Sequence, residues 1–144
     1  MAITTNAITS SFKKELLEGK HDFSQTTGSV FKLAMYTSAA TLGTGTTSYT
    51  TGSEVSSPAG YTAGGKALVN TGTSVSSNIA ITDYADLSFT GVTLTARGAL
   101  IYNTSNSDTA VAVLDFGGDK TATSGTFTIQ FPAFTTSAAI LRIA

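Results

Sequence analysis

The stretch that decides the fold is ALIYNTSNSDTAVAVLDF, residues 99–116, in which two apolar runs flank a polar turn. The second run, AVAVLDF, alternates between two faces, and the face formed by Ala112, Leu114 and Phe116 is apolar throughout. Alternation of this kind is typical of a β-strand, and the NTSNSD segment at 103–108 is rich in turn-forming residues. The stretch therefore predicts two strands separated by a turn.

Similar runs recur on both sides of this stretch, at spacings near ten residues, and GGDKTATSG at 117–125 predicts a second turn. Short strands at this spacing with few helices are typical of an antiparallel β-sandwich or a jelly-roll-like domain. The fold class expected is therefore all-β. The predicted strands are residues 30–37, 67–71, 78–82, 87–95, 99–104, 109–116, 126–131 and 138–143.

The composition supports an all-β domain with an unusually uncharged surface. The chain has 144 residues and no cysteine, which predicts one ordinary domain without disulfides. It contains 27 Thr and 17 Ser, whereas charged residues make up 12% and the net charge is -1. Threonine suits strand surfaces, and sparse charge argues against nucleic acid as a partner. Weak repulsion between molecules suits a protein that is embedded in an assembly.

A single short helix is predicted near the N-terminus. Ser10 and Ser11 can cap it, and Gly19 can end it. Its apolar face must dock on the domain or on a neighbouring subunit, because two turns of helix are marginal in water. The residues of this face are Phe12, Leu16 and Leu17.

The expected organisation is an N-terminal arm at 1–29, which contains this helix, and one β-sandwich domain at 30–144. Within the sandwich, residues 38–65 form a long Thr/Ser/Gly-rich excursion with Tyr49 and Tyr61 among its few large side chains. Both the arm and the excursion are expected to reach neighbouring subunits. Removal of residues 1–19 is then expected to abolish binding to such an assembly and to leave the sandwich folded.

One segment approaches a phosphate-binding loop. Gly60, Gly65 and Lys66 match the G-x-x-x-x-G-K pattern, but Ala67 stands where Ser or Thr would bind magnesium. No buried strand precedes the glycines, and a strand pattern follows them, so we interpret them as a turn that leads into a strand. The triplet DFG at 115–117 is likewise interpreted as a strand end before a Gly-Gly turn.

Other chemistry-bearing residues also have structural interpretations. The pairs Asp83/Asp86 and Asp115/Asp119 could supply oxygens to calcium, but we interpret them as turn and cap aspartates. His21 is interpreted as an ordinary surface histidine. Arg97 lies between apolar strands and is expected to pair with Asp115 or Asp86, or to face a neighbouring subunit. No catalytic, metal or cofactor site is predicted.

Several segments together resemble a family of small virion structural proteins of tailed bacteriophages, encoded with the head and connector genes. The resemblance implies a β-rich subunit associated with the capsid or the tail, without enzymatic activity, and it carries over no set of functional residues. The segments, which run in order from residue 31 to 144, are FKLAMYTSAATL, EVSSPAGYTAGGKAL, TARGALIYN, AVAVLDFGGDKTATSGTFTIQFP and AILRIA.

These observations lead to three functional hypotheses. The first is a capsid decoration or cement protein on the phage head, a virion protein made in the bacterial cytoplasm, which binds the major capsid protein and copies of itself as a trimer. The second is a tail, collar or fibre component, in which Tyr36, Tyr49 and Tyr61 form a carbohydrate-binding face. The third is a small hydrolase or nucleotide-binding enzyme. For the first, no membrane, nucleic acid or small-molecule partner is expected. Its candidate assembly contacts are Phe12, Leu16, Leu17, Tyr49, Tyr61 and Arg97.

Overall fold

The computed structural model describes residues 3–56 and 59–144 and forms two antiparallel sheets. The expected all-β sandwich with a short N-terminal helix is confirmed. The elements in chain order are β1 (Ala7–Ile8), α1 (Ser10–Leu17), β2 (Phe31–Tyr36), β3 (Lys66–Ala67), β4 (Asn70–Ser76), β5 (Ile79–Tyr84), β6 (Leu87–Asn103), a 3-10 turn (Thr104–Asn106), β7 (Thr109–Ile129) and β8 (Leu141–Ile143).

The larger sheet has five strands in the order β1-β7-β6-β2-β3, and the smaller sheet has three in the order β4-β5-β8. A long hairpin of β6 and β7 forms the centre of the larger sheet. Its register pairs Leu87 with Ile129 at the open end and Asn103 with Thr109 beside the turn. The turn predicted at 103–108 is confirmed, and Asn103 caps it by accepting a hydrogen bond from the amide of Ser105.

The predicted division of this hairpin into four strands is wrong. The strands predicted at 87–95 and 99–104 are parts of the single strand β6, which ends at Asn103, and those predicted at 109–116 and 126–131 are parts of β7, which ends at Ile129. The segment 117–125 is therefore part of a strand and does not form a turn. Register shifts, including one between Ala96 and Gly98, absorb the extra residues, so the glycines bend the ladder without ending it.

The smaller sheet departs from the predicted boundaries in a similar way. The strand predicted at 67–71 is divided between β3 of the larger sheet and β4 of the smaller sheet, and β4 continues through the hydroxyl-rich residues to Ser76. Ser77 and Asn78 join β4 to β5 with positive φ values of 50° and 63°, as a two-residue hairpin turn requires. Of the strand predicted at 138–143, only Leu141–Ile143 forms a strand, which is β8.

The main core lies between the two sheets and is rich in aromatic rings. Phe23 stacks on Phe31 with 4.7 Å between ring centroids, and Tyr84 packs edge-on against Phe131 at 5.5 Å. Phe12 of α1 belongs to the same core and is 2% exposed. The helix therefore docks on its own domain, which is one of the two outcomes expected for it.

A second apolar cluster lies on the other face of β2 and β6. It contains Tyr36, Leu100 and Val113, and it is covered by Ala40 and Leu42 from the 38–65 segment. This segment is therefore folded onto its own sheet, contrary to the expectation that it reaches across a subunit boundary. Both faces of β2 and of residues 98–103 of β6 are buried as a result.

The helix has the predicted extent but a different cap. Thr9 is the N-cap, and its hydroxyl accepts a hydrogen bond from the amide of Phe12 at 3.4 Å. The expectation that Ser10 and Ser11 cap the helix is wrong, because both lie within its first turn. Gly19 follows the C-cap with a φ of 71°, and the expected stop is confirmed.

Gly65 should be the least replaceable glycine in the return from the 38–65 segment. Its φ is 77°, and a Cβ atom there would lie 1.8 Å from the carbonyl oxygen of Leu33. The change Gly65→Ala should therefore lower the free energy of unfolding by about 2–4 kcal/mol, from backbone strain plus the clash, in a denaturant titration.

Gly64→Ala is the matched control, because Gly64 has a similar φ of 91° but its Cβ would meet only side-chain atoms at 3.5 Å or more. Its expected cost is the strain alone, about 1–2 kcal/mol. Equal losses for the two variants would show that the close approach to Leu33 does not contribute.

Candidate assembly surface

Most of the outer edge of β7 is unpaired. β1 pairs with it only at Ala112 and Val113, and the Asn6 side chain accepts a hydrogen bond from the amide of Asp115 at 2.6 Å. Within 3–56 and 59–144, no strand pairs with the outer edge of residues 120–129, which we call the open edge. Such an edge presents a row of N–H and C=O groups to which another strand can bind.

The open edge lacks the charges that usually protect a free strand edge. Lys120 stands at its first position, and the following residues, TATSGTFTIQF at 121–131, carry no charge. Proteins commonly protect exposed edges with charged side chains, proline or a covering loop, because a flat uncharged edge pairs with other chains. The composition of the open edge is therefore that of a pairing surface.

A cleft of about 870 Å³ runs along the open edge. Nearly every residue from 120 to 132 lines this cleft, so side chains of both strand faces border it. Successive side chains of a strand point to opposite faces, which places the cleft at the edge of β7 and not over one face. Ala138 and Ile140 lie in the opposite wall, and Asn6 lies near the Lys120 end.

Two aspartates near the cleft accept hydrogen bonds from backbone amides. Asp86 accepts a hydrogen bond from the amide of Phe131 at 2.8 Å, and Asp83 accepts one from the amide of Tyr84 at 2.9 Å. Asp83 is 1% exposed. Its burial raises the pKa of its carboxyl group, although hydrogen bonds from the backbone of Tyr84 and Ile140 act in the opposite direction.

The sequence placed Asp83 and Asp86 among possible calcium ligands, and in the fold they bind backbone amides instead. No group of three or more His, Cys, Asp or Glu side chains among residues 3–56 and 59–144 is arranged to hold a metal ion. No helix in the described part of the chain is long and apolar enough to cross a membrane.

Arg97 pairs with Asp115, which is one of the two partners expected for it. The guanidinium Nε lies 3.2 Å from the Asp115 carboxylate, which also accepts a hydrogen bond from the amide of Gly117 at 2.9 Å. The Gly117 amide and then Arg97 lower the pKa of Asp115. This pair braces β6 against β7 where the ladder shifts register. The DFG triplet at 115–117 lies inside β7, so the strand end and turn expected there do not occur.

The two tyrosines proposed as assembly contacts bind a carboxylate inside the fold. Glu54 accepts hydrogen bonds from the hydroxyls of Tyr49 and Tyr61, at 2.5 and 2.7 Å, and from the amide of Gly64 at 2.7 Å. The Tyr61 hydroxyl also accepts a bond from the amide of Met35 at 2.9 Å. Burial, and then the bond to Glu54, raise the pKa of both tyrosines.

This cluster holds the 38–65 segment against the larger sheet. Tyr61 is 4% exposed, and Tyr49 stacks on Tyr102 with 4.7 Å between centroids. Burial raises the pKa of Tyr102 to about 12, and its hydroxyl donates to the carbonyl of Gly64. Tyr61 therefore offers no contact surface to another molecule in this fold. The role of Glu54 was not predicted, although its three partners lie within ten residues of it, because nothing in the sequence of this hydroxyl-rich segment marks which groups bind its carboxylate.

The three apolar helix residues proposed as contacts have different surroundings. Phe12 is buried in the main core, and Leu16 is partly buried against it. Leu17 is 91% exposed and is available to a partner. Ile3 is fully buried as well, and β1 pairs with β7. Removal of residues 1–19 would thus remove core side chains, so the expectation that the sandwich stays folded without them does not fit the structure.

The interpretation of His21 as a surface residue is wrong. Its ring lies between Phe12 and Phe31, with centroids at 4.7 and 6.3 Å, and its two nitrogens contact Glu15 at 2.7 Å and Asn103 at 2.9 Å. The Asn103 carbonyl oxygen accepts from Ser105, so its NH₂ group donates to Nδ1, and Nε2–H donates to Glu15. The imidazole therefore cross-links the helix to the hairpin.

Nothing near His21 in the sequence indicated this cross-link, because Asn103 lies 82 residues away.

The glycines that resemble a phosphate-binding loop form a turn that leads into a strand, as expected. Gly64 and Gly65 have positive φ values, and Lys66 begins β3. The Lys66 ammonium group donates to the carbonyl of Ser88 at 2.7 Å and lies over the ring of Phe89.

No protein-family model, curated protein or solved structure matches this chain. The functional inference therefore depends on the geometry and composition of the surfaces described above.

Tyr61→Phe should destabilise the protein, because it removes one hydrogen bond to Glu54 and leaves the amide of Met35 without its acceptor. The expected loss in free energy of unfolding is about 1–3 kcal/mol. Tyr84→Phe is the matched control, since the buried Tyr84 hydroxyl has no hydrogen-bond partner. This second variant should be neutral or slightly stabilising, and a larger loss for Tyr84→Phe than for Tyr61→Phe in urea titrations would contradict the assignment.

Asp83 should make the protein less stable as the pH rises. Burial raises the pKa of the Asp83 carboxyl group above its ordinary value, so the folded state retains a proton that the unfolded state has lost. The free energy of unfolding should fall from about pH 4 up to the folded pKa, and Asp83→Asn should remove this part of the dependence. Parallel stability profiles for the two proteins between pH 4 and 8 would refute the prediction.

Proposed function

We propose that this protein is a non-enzymatic structural subunit of a phage particle, and that it decorates and cements the head by binding the major capsid protein. The observation that carries the proposal is the open edge of β7, which is uncharged after Lys120 and borders a cleft. The sparse charge of the whole chain supports it, because a subunit embedded in an assembly needs little repulsion between copies.

In the proposed mechanism, an extended segment of the capsid protein lies in the cleft and adds a strand to the larger sheet. Ten paired residues would span about 33 Å, and each backbone hydrogen bond would contribute about 0.5–1.5 kcal/mol net. Phe127 and Phe131, which line the cleft, would contact alternate side chains of that segment. The long β6–β7 hairpin would transmit load between the capsid subunits that it joins.

Pairing of two open edges from two copies is disfavoured by the position of the edge. The wall that contains Ala138 and Ile140 stands opposite the edge in each copy. Two such edges would have to approach to the roughly 4.8 Å that separates paired strands, with the 138–140 segment of each copy beside them. A single extended segment fits the cleft, and the proposed trimer would use other surfaces.

A location in the tail, collar or fibre is the alternative. The carbohydrate-binding face of tyrosines that was suggested for it does not fit the structure. A carbohydrate-binding face of Tyr36, Tyr49 and Tyr61 would need exposed rings, whereas Tyr36 and Tyr61 are buried. A tail location would therefore have to use the open edge or another surface.

The copy number of this chain in purified virions tests the proposal and separates its two locations. Quantitative mass spectrometry of virions from the source of this sequence should give hundreds of copies per particle for a head protein. A value of about six to a few dozen would favour the tail alternative. Absence of the chain from purified virions would overturn both.

Charges placed on the open edge should weaken capsid binding. Thr126 and Thr128 are exposed residues of β7 that line the cleft, so the double change to Lys should leave the sandwich folded. Binding to undecorated capsids, measured by co-sedimentation, should fall at least about tenfold because a lysine pair protects an edge from pairing. The matched control is Thr44→Lys with Thr47→Lys, on the exposed part of the 38–65 segment, and equal loss in both would contradict the role of the edge.

A further inference from the structure

The single histidine of the chain is buried where three elements meet. The His21 side chain is 0% exposed, and its ring packs against Phe12 of α1 and Phe31 of β2. Its nitrogens contact Glu15 of α1 and Asn103 at the end of β6. Imidazole is the side chain whose charge ordinarily changes between pH 5 and 8, so a proton taken up here would act on all three elements.

The hydrogen bonds of Asn103 fix the direction of its side-chain amide. Its Oδ1 accepts a hydrogen bond from the amide of Ser105 at 2.9 Å, because a backbone N–H can only donate. The NH₂ group of Asn103 therefore faces Nδ1 of His21, 2.9 Å away. This NH₂ group can only donate, so Nδ1 must be an unprotonated acceptor. The ring consequently fits this site as a neutral imidazole with its proton on Nε2.

The contact with Glu15 is compatible with both charge states of the ring. Nε2–H donates to the Glu15 carboxylate at 2.7 Å whether the ring is neutral or charged. The other two elements present only uncharged groups to the ring, from Phe31 and Asn103. The charged side chains that are close in sequence bind elsewhere, in exposed pairs and turns, and they are Lys14, Glu18, Lys20 and Asp22.

A second proton on the ring would change the contact with Asn103. Nδ1–H would then face the NH₂ group, and two donors without an acceptor are unfavourable in a buried site. Rotation of the Asn103 amide by about 180° would restore a bond to His21 but would turn NH₂ towards the amide of Ser105. Asn103 is fully buried, so water does not replace the lost partner. Protonation therefore breaks one of the two hydrogen bonds of Asn103 in either orientation.

The hydrogen bond to Ser105 holds the turn of the long hairpin. Asn103 is the N-cap of the 3-10 turn Thr104–Asn106. The Ser105 hydroxyl in turn accepts a hydrogen bond from the amide of Val30, and the Thr104 amide donates to the Val30 carbonyl. Val30 immediately precedes β2. Loss of the cap would therefore loosen both the turn and its connection to the start of β2.

We propose that His21 and Asn103 form an acid-responsive latch between the N-terminal segment and the turn of the β6–β7 hairpin. In the closed latch, the neutral ring accepts from Asn103, and Asn103 caps the turn. Protonation of Nδ1 reorients the Asn103 amide and frees the amide of Ser105. This inference uses residues away from the open edge and does not rest on the proposed function.

NMR spectroscopy of the unchanged protein tests the latch. Because the chain has one histidine, its imidazole signals are identified without ambiguity. At pH 8, the long-range ¹H–¹⁵N spectrum should show a protonated Nε2 and an unprotonated Nδ1. As the ring takes up a proton between pH 8 and 5, the protection of the Ser105 amide against exchange with water, corrected for the intrinsic effect of pH, should fall about threefold to tenfold.

Asn103→Asp is the matched control, because the carboxylate has nearly the same shape but only acceptor oxygens. It can accept from Ser105 and from a protonated Nδ1 together, so the protection of the Ser105 amide should change less than about twofold over the same pH range. His21→Phe is a second control that keeps a ring between Phe12 and Phe31 but cannot take up a proton. It should also remove the pH response, and it serves alone if the buried carboxylate prevents folding.

Several results would overturn the proposal. These are a proton on Nδ1 at pH 8, a ring that takes up no proton down to pH 5, and a Ser105 amide whose protection stays constant while the ring is protonated. An equal pH response in His21→Phe would assign the change to another group. Absence of the chain from purified virions would overturn the proposed function and leave the latch unaffected, so the two can fail separately.

Discussion

The pairing of β6 with β7 is the interaction on which the rest of the structure depends. The two strands have 17 and 21 residues, whereas strands in globular proteins usually have about five or six. β2 pairs with β6, and both β1 and the helix pack on β7. These neighbours are far shorter than the hairpin, so they cannot cover its whole length. The open edge is a direct consequence of this mismatch.

Exposed positions of this hairpin carry Ser and Thr hydroxyl groups that form hydrogen bonds between β6 and β7. Ser88 and Thr128 are within hydrogen-bond distance across the two strands at 3.0 Å, and Thr95 and Thr121 are at 2.8 Å. Such pairs satisfy exposed strand positions and stabilise the ladder without adding net charge. The same composition leaves little repulsion between molecules, so the protein combines a stable sheet with a surface that is suited to close association.

The distribution of anchored and free surfaces decides where a partner can bind. The 38–65 segment is anchored by Glu54 and the tyrosines around it, and the N-terminal segment by Phe12, Thr9 and β1. Contacts with other chains must therefore come from surfaces whose groups are still unpaired. The open edge offers backbone hydrogen bonds that no strand of residues 3–56 and 59–144 uses.

The sequence by itself determined the features that depend on neighbouring residues. Alternation predicted β-strands, the NTSNSD segment predicted its turn, and the spacing of Phe12 and Leu16 predicted the helix that ends before Gly19. Tertiary structure decided the features that depend on residues far apart. Pairing with β6 kept 117–125 in a strand although its glycines suggested a turn, because the energy of a ladder is shared along the whole strand. Packing buried His21 and Tyr61, whose partners are distant in the chain. The open edge could not be predicted either, because an edge is defined by which strands fail to pair with it, and only the assembled sheet shows that.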